Sequence, residues 1–198
     1  MTLVLASTSA SREAMLRGAG VAFECVAPNV DEDEIKRSMV AAGAGAREVA
    51  DALAEAKAVK VSRRLPGALV LGSDQILECA DGVLLDKPVG RAGAEAHLRR
   101  LMGSDHRLVC GAVIALDGVA VWRVVDTARL TMRPLSDSFI ADYLDREGDA
   151  VLGSVGAYRI EALGAQLFSR IDGDHFTVMG LPLLPVLDFL RVRGVLAL

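Results

Sequence analysis

Hydroxyl groups and a cation come together early in the sequence, in Ser7-Thr8-Ser9 and in Ser11-Arg12 directly after it. The apolar residues before them predict a short strand, and the residues after them predict a helix. Free N–H groups at a helix start favour anions, and a guanidinium can donate two hydrogen bonds to one phosphate. These residues therefore predict a phosphate site, although a serine that merely caps a surface helix fits them as well.

Two places in the sequence offer carboxylates that could bind a cation or accept a proton. Residues 31–34 read Asp-Glu-Asp-Glu, and hard cations such as Mg²⁺ prefer oxygen ligands. The same run also fits a solvated acidic turn at a helix start. Asp74 follows the apolar run 68–71, and ligands of open α/β sheets bind beyond strand ends. Asp74 could therefore bind a metal or deprotonate water, or it could only cap a turn.

Two lysines could neutralise a bound anion. Lys57 lies on a predicted helix, and Lys87 precedes Pro88, which holds the backbone of Lys87 extended. Either residue also fits an ordinary surface lysine. The Gly-x-x-x-x-Gly-Lys-Ser/Thr phosphate loop and the Gly-x-Ser-x-Gly nucleophile motif are both missing, and the histidines lack zinc spacing.

The hydrophobic pattern predicts the elements that must position these residues. Strands are predicted over residues 2–6, 21–27, 68–71, 108–116 and 119–131. A first helix is predicted from the polar turn at residues 7–9 to about residue 17, and further helices are predicted over 46–64, 92–102, 136–148 and 181–193. Asp117-Gly118 between two β-branched runs predicts a hairpin, and Pro182 is expected in the first turn of the last helix. Strands alternating with helices and followed by a hairpin predict an α/β fold with a mixed sheet.

Composition excludes several classes of protein. The chain has 198 residues, 52% of them hydrophobic and 24% charged, which predicts one folded domain over residues 1–198. A net charge of −4 argues against binding a nucleic-acid polymer. The late apolar stretch 178–190 is broken by prolines, so no membrane span is expected. Cys25, Cys79 and Cys110 are expected to be buried thiols in a reducing compartment, which predicts a cytoplasmic protein.

In their order along the chain, the motifs resemble those of the Maf family. The matching segments are Leu-Ala-Ser-Thr-Ser at 5–9, Asp-Glu at 31–32, Gly-Ser-Asp-Gln at 72–75, Lys-Pro at 87–88, Gly-Ala-Tyr at 156–158, Leu-Gly-Ala at 163–165 and Gly-Leu-Pro-Leu at 180–183. The resemblance implies an α/β fold like that of the inosine triphosphate pyrophosphatases, with a mixed central sheet flanked by helices and two lobes with a cleft. It also implies a homodimer that hydrolyses nucleoside triphosphates to monophosphate and pyrophosphate with a divalent metal cation.

The resemblance further implies a role for each matched position. The residues implied to bind the triphosphate or to neutralise it are Ser7, Ser9, Ser11, Arg12, Lys57 and Lys87. Asp74 is implied to accept a proton from water, with Glu32 and Lys87 completing the catalytic set. Glu32 and Asp74 are implied to hold the metal, which would be Mg²⁺, Mn²⁺ or Co²⁺, and Gln75 and Glu161 to select the base.

Two positions depart from the family's pattern and bear on the substrate. Ser11 stands where the family commonly has arginine and where the subgroup acting on 7-methyl-GTP usually has an aromatic residue. Thr177 stands in place of a usual asparagine. Gly-Ser-Asp-Gln together with Glu161 nevertheless resembles that subgroup, and a carboxylate favours a cationic base. The expected function is therefore removal of modified or non-standard triphosphates. A nucleotide-binding regulator of cell division and a phosphatase that releases single phosphates remain the alternatives.

Overall fold

The strands and helices are known from a computed structural model, which describes residues 2–197. The strands are β1 Leu3–Ala6, β2 Glu24–Cys25, β3 Leu69–Cys79, β4 Leu84–Leu85, β5 Asp105–Leu116, β6 Val119–Met132 and β7 Phe168–Asp172. The α-helices are α1 Ala10–Gly18, α2 Glu32–Ala41, α3 Ala46–Ser62, α4 Gly90–Leu101, α5 Asp137–Glu147, α6 His175–Val178 and α7 Leu183–Val192. Short 3₁₀ helices cover Gly148–Gly153, Val155–Ala157 and Leu163–Leu167. Among residues 2–197, no helix has both the length and the apolar character that crossing a bilayer requires.

The strands described in the structure form one mixed sheet. Their order is β2-β1-β3-β5-β6-β7, and β4 pairs with β3. Strand β1 runs parallel to β2 and to β3, whereas the β3–β4 and β6–β7 pairs are antiparallel. The predicted α/β fold with a mixed central sheet flanked by helices is therefore confirmed. The hairpin is confirmed too, since β5 and β6 meet at Asp117 and Gly118, which both have positive φ angles.

The two faces of β1 and β3 pack against different helices because side chains alternate along a strand. Leu5 and Leu71 belong to a core cluster that includes residues of α1 and α7. Val4 and Val70, on the opposite face, pack with Val61 of α3. The same alternation continues along β3 past Leu71, so it decides which helices Ser73, Asp74 and Gln75 face.

Strand β3 does not end at residue 71, so the prediction that Asp74 lies beyond a strand end is wrong. Gly72 resembles a strand terminator in the sequence, but it lies inside the strand, where the lack of a side chain lets α3 approach closely. It is the neighbouring strand that ends, because Ala6, the last residue of β1, pairs with Gly72. Asp74 therefore extends past the end of β1 while remaining in a fully formed strand.

Other predicted features differ in smaller ways. The acidic run at 31–34 opens helix α2, and Asp31 caps it by accepting a hydrogen bond from the Glu34 N–H at 3.0 Å. Strand β2 has two residues rather than the predicted seven, and Pro182 precedes α7 instead of lying in its first turn. Cys79 and Cys110 are buried free thiols, but Cys25 is exposed because it lies on the outermost strand of the sheet order.

The chain divides into two compact units. The first contains the residues up to Gln75, Val109–Asp126 and the residues from His175 onward, and the second contains Ile76–Leu108 and Thr127–Asp174. All predicted site residues except Lys87 and Glu161 belong to the first unit. The single domain over 1–198, whose end residues lie outside the described range, stays a prediction, as do the cleft, the homodimer and the cytoplasmic location.

His106 is a buried titratable group within the second unit's aromatic core. Its Nε2 atom lies 2.8 Å from the hydroxyl of Tyr158, and the rings of Tyr158 and Phe168 pack around it. The Nδ1 atom is buried and has no hydrogen-bond partner among the described residues. Burial lowers the pKa of His106 to about 4, against a smaller opposing effect of Asp105. The imidazole is therefore neutral in the folded protein at pH 7.

We expect this histidine to make the protein less stable in mild acid. Between pH 6.5 and 4 the unfolded chain binds a proton at His106 that the folded chain does not, so the unfolding free energy falls as the pH falls. Lowering the pH from 7 to 4.5 should cost about 2 kcal/mol through this residue. Urea unfolding at both pH values measures the effect, which His106→Gln should remove and His175→Gln, at an exposed histidine, should not. An equal acid loss in His106→Gln and the wild type would contradict it.

Candidate active site

Three residues from α2, α3 and β3 form an ion-pair cluster. The ammonium group of Lys57 lies 2.6 Å from Oδ1 of Asp74 and 2.9 Å from Oε2 of Glu32. Lys57 is 5% exposed and Asp74 is 7% exposed, whereas the side chain of Glu32 is 48% exposed. Each buried charge thus has a partner of opposite sign, as burial of an ion requires. The cluster carries two carboxylates and one ammonium, so it retains a net negative charge.

The close approach of α3 to the sheet is what brings Lys57 to Asp74. Asp74 shares the strand face of Val70, which is the face that α3 covers. A Cβ atom on Gly72 would lie 2.3 Å from the carbonyl oxygen of Ala54, so only glycine allows this packing distance. Lys57 lies between Ala54 and Ala58 on the helix turn that contacts Gly72, and its side chain therefore reaches Asp74.

The hydroxyl-rich segment forms the N-terminus of α1. Ser9 is the N-cap, and its side-chain oxygen accepts a hydrogen bond from the backbone N–H of Arg12 at 3.4 Å. The backbone N–H of Ser9 donates to the side chain of Ser7 at 3.1 Å, and Nη1 of Arg12 lies 3.5 Å from the same oxygen. Capping satisfies only part of the helix start, since the first four N–H groups have no partner inside the helix. This terminus therefore still offers donors to an anion.

Backbone carbonyls at residues 177–180, which we call the 177–180 turn, accept hydrogen bonds from the α1 motif. Nε of Arg12 donates to the carbonyl of Gly180 at 2.6 Å, and the hydroxyl of Ser11 donates to the carbonyl of Met179 at 2.9 Å. The Arg12 guanidinium is thus held by one edge, which leaves donors on its terminal nitrogens for a ligand.

The same turn binds the side chains of β3 that point away from α3. Nε2 of Gln75 donates to the carbonyls of Thr177 at 2.8 Å and Val178 at 3.1 Å, and the hydroxyl of Ser73 donates to Gly180 at 3.1 Å. Both acceptors of Gln75 are carbonyls, so its amide nitrogen must face them. Its Oε1 atom is consequently the group that Gln75 can offer to a ligand, and it can only accept a hydrogen bond.

Cys110 lies beside this network but has no nucleophilic character. Its sulfur is 3.7 Å from the hydroxyl of Ser73, and the residue is fully buried. Burial raises the pKa of the Cys110 thiol to about 12, although Arg12 and Ser73 act in the opposite direction. Only a thiolate attacks efficiently, so Cys110 fills space as a protonated thiol.

Comparison with known proteins identifies the family. A family model described as Maf-like protein matches residues 2–193. The chain belongs to the Maf family. A Maf relative from Sphingopyxis alaskensis is 52% identical over 194 residues, covering 98% of each chain. A relative from Caulobacter vibrioides is 49% identical over 98% of this chain and 96% of its own, and one from Hyphomonas neptunium is 50% identical over 99% and 98%. Each of these three proteins is named nucleoside triphosphate pyrophosphatase.

The residues implied by Maf membership fall into three places. Asp74, Glu32 and Lys57 form the ion-pair cluster. The other first-unit residues, which are Ser7, Ser9, Ser11, Arg12 and Gln75, belong to the α1 N-terminus or contact the 177–180 turn. Lys87 and Glu161 belong to the second unit, where both are exposed and Nε of Arg159 lies 3.3 Å from a carboxylate oxygen of Glu161.

Three residues that contact the candidate site residues or the 177–180 turn were not predicted from the sequence. Gly180 was matched as part of a motif without a role, and its contribution is a backbone carbonyl, which no residue type reveals. Ser73 was read only as part of the Gly-Ser-Asp-Gln match. Asp126, which accepts a hydrogen bond from Thr177 at 2.7 Å, carries no signal in the sequence because it sits in an ordinary β-branched strand.

Proposed function

We propose that this protein hydrolyses a nucleoside triphosphate to the monophosphate and pyrophosphate, which makes it a hydrolase of acid anhydrides. The observation that carries the proposal is the Lys57 ammonium held between Asp74 and Glu32, in a family whose relatives are named for this activity. A buried carboxylate beside a cation supplies a proton acceptor for water next to a group that attracts phosphate.

In the proposed reaction Asp74 acts as the general base. It accepts a proton from water while the water oxygen forms a bond to phosphorus and the anhydride bond to the pyrophosphate group breaks. Lys57 and Arg12 offset the negative charge of the triphosphate, and the N–H groups at the start of α1 donate to its oxygens. The proton taken up by Asp74 then passes to solvent, and monophosphate and pyrophosphate are released.

We also propose a divalent cation, Mg²⁺, Mn²⁺ or Co²⁺, held by Asp74 and Glu32. Mg²⁺ is commonly bound through one or two carboxylates, with substrate phosphates and water completing its ligands, and this donor pair fits that pattern. Within residues 2–197 no group of three or more His, Cys, Asp or Glu side chains could hold a metal without the substrate. When bound, the cation would offset charge on the phosphates. Lys57, which pairs with both carboxylates in the free protein, would then be available to the triphosphate.

The finer proposal concerns the base, for which we propose 7-methylguanine. Oε1 of Gln75 can accept a hydrogen bond from a base edge that carries an N–H group, as guanine does. A carboxylate at Glu161 favours a cationic ring over a neutral one. Ser11 does not contribute stacking, and its hydroxyl is bound to the 177–180 turn.

A panel of triphosphates tests the function directly. Standard triphosphates and 7-methyl-GTP should be assayed with Mg²⁺, Mn²⁺ and Co²⁺ for pyrophosphate, inorganic phosphate and monophosphate. We expect equal amounts of monophosphate and pyrophosphate, and loss of activity in EDTA. We also expect a higher kcat/KM for 7-methyl-GTP than for GTP. Glu161→Gln should lower the kcat/KM for 7-methyl-GTP.

Three other results would each reject part of the proposal. Release of inorganic phosphate and nucleoside diphosphate without pyrophosphate would indicate a phosphatase of single phosphates. Triphosphate binding without turnover for any metal would indicate a nucleotide-binding regulator. Equal kcat/KM for GTP and 7-methyl-GTP would reject 7-methylguanine as the preferred base but would not affect the proposed hydrolysis to monophosphate and pyrophosphate.

A further inference from the structure

We infer that the hydrogen bond between Thr177 and Asp126 positions Arg12 and Gln75 for the nucleotide, acting through the 177–180 turn. Thr177 and Asp126 are thus positioning residues that do not themselves touch the substrate. The inference rests on the proposed function for the identity of the ligand. The contacts that carry it are all within the first unit.

The 177–180 turn has carbonyls that need donors. Helix α6 ends at Val178, and the last four carbonyls of a helix have no partner within it. Backbone N–H groups satisfy part of the need, since Gly180 donates to Thr177 and Leu181 donates to Phe176, each at 3.1 Å. The remaining acceptor capacity is directed at side chains of α1 and β3. Because Gly180 has a φ of +102°, the direction of its carbonyl depends on a backbone conformation that glycine favours.

Residues that are far apart in sequence meet on this turn. Arg12 and Ser11 each lie 168 positions from the carbonyl they bind, and Gln75 lies 102 and 103 positions from its two acceptors. The turn therefore connects the phosphate-binding motif of α1 with the β3 residue implied to select the base. A displacement of the turn would reorient both groups at once.

Thr177 anchors the turn to the sheet. The residue is 0% exposed, and its hydroxyl donates to Oδ2 of Asp126 on β6 at 2.7 Å. The carbonyl of the same residue accepts from Gln75, so the hydroxyl contact fixes the backbone that Gln75 binds. A hydrogen bond to a carboxylate is stronger than one between neutral groups, which suits it to hold a short helix in place.

Anchoring matters most for Arg12. With Nε bonded to Gly180 and Nη1 near Ser7, the guanidinium is restricted before any ligand arrives, while its other N–H groups remain available. Restricting a long side chain in advance lowers the entropy lost on binding. Without the anchor Arg12 would sample several rotamers, so triphosphate binding would weaken more than the chemical step.

The test compares Thr177→Val, which removes the hydroxyl at constant shape, with Thr177→Ser, which keeps it. KM and kcat are measured with the best triphosphate of the panel, and hydrogen exchange of the Arg12 Nε–H is followed by NMR in the ligand-free protein. We expect Thr177→Val to raise KM about tenfold, the equivalent of ~1.4 kcal/mol, to change kcat little and to lose protection at Arg12 Nε. Thr177→Ser should keep both the wild-type KM and the protection of the Arg12 Nε–H. The Nε–H of Arg17, bonded to Glu13 on the same helix, is the internal reference.

A matched control uses the second unit's own threonine–aspartate pair. The hydroxyl of Thr131 donates to Asp105 at 2.6 Å, so Thr131→Val removes the same kind of bond elsewhere. Thr131→Val should lower the stability of the protein but change neither KM nor the protection of the Arg12 Nε–H from exchange. An unchanged KM and an intact Arg12 signal in Thr177→Val would overturn the inference, and so would equal impairment of the valine and serine variants.

A substitute variant and a readout that is independent of catalysis allow the inference to be tested in two further cases. If Thr177→Val does not fold, Asp126→Ala removes the acceptor instead and carries the same expectations. If the wild-type protein releases pyrophosphate from no triphosphate, the proposed function fails, yet protection of Arg12 Nε still reports on the positioning role. The two failures are therefore distinguishable.

Discussion

Asp74→Asn is expected to lower pyrophosphate release by about 10³-fold while leaving the fold intact. The amide oxygen of asparagine can still accept a hydrogen bond from Lys57, which lies 2.6 Å from Asp74 in the native protein. Lys57 also keeps its contact with Glu32, so the buried ammonium retains a partner of opposite charge. The variant loses the ability to take a proton from water, and it also loses the negative charge that Asp74 would offer to the proposed divalent cation. The rate at saturating triphosphate measures the loss, and circular dichroism with a thermal melt checks the fold.

Asp51→Asn is the matched control for this variant. Asp51 lies on α3 like Lys57, but it pairs with Arg123 at 2.6 Å and takes no part in the Lys57 cluster. Its replacement should leave activity within about twofold, as expected for a carboxylate remote from the chemistry. Retention of more than a tenth of wild-type activity in Asp74→Asn would remove Asp74 from the role of general base.

Gly72→Ala is expected to destabilise the protein by about 3 kcal/mol and to lower activity as well. The added Cβ would lie 2.3 Å from the carbonyl oxygen of Ala54 and 2.7 Å from the backbone nitrogen of Ala58. Both are backbone atoms of α3, so no side-chain rotation can relieve the overlap. Helix α3 has to shift as a whole, and Lys57 shifts with it away from Asp74. Chemical denaturation and pyrophosphate release measure the two effects.

Gly18→Ala provides the comparison for Gly72→Ala. Gly18 is the last residue of α1, and a Cβ there would meet nothing within 4 Å. The change should be neutral or slightly stabilising, because alanine loses less backbone entropy in a helix than glycine does. A Gly72→Ala protein that unfolds at the same denaturant concentration as Gly18→Ala would show that α3 can move away from β3 at little cost.

Much of the fold could be predicted because its signals are local. Alternating and continuous apolar runs predicted β1 and the β5–β6 hairpin, and Asp117-Gly118 marked the turn between those two strands. The helix predicted over residues 136–148 is confirmed as α5, and the side chain of Ser136 caps it by accepting a hydrogen bond from the backbone N–H of Phe139 at 3.2 Å. In contrast, Gly72 misled the prediction of β3, because a glycine that ends a strand and one that admits a close helix look the same in sequence.

The candidate site was predictable in its residue types but not in its arrangement. In the sequence, Gly-Ser-Asp-Gln is one continuous motif. In the structure, side chains alternate along the strand, so Asp74 contacts Lys57 of α3 while Ser73 and Gln75 contact the 177–180 turn. Lys57 was expected to meet phosphate, and in the free protein it pairs with two carboxylates. Such pairings depend on which face of an element is covered, and that is decided by packing between distant segments.

The 168 positions that separate Arg12 from its carbonyl partner have a consequence for protein synthesis. A nascent chain carries Arg12 and the rest of the proposed phosphate motif early in translation, but the Gly180 carbonyl that orients Arg12 is added only after most of the polypeptide has been made. Until then the arginine is untethered, and a prematurely terminated product would never order it. The competence to bind triphosphate should therefore arise late and abruptly, when residue 180 has left the ribosome and docked.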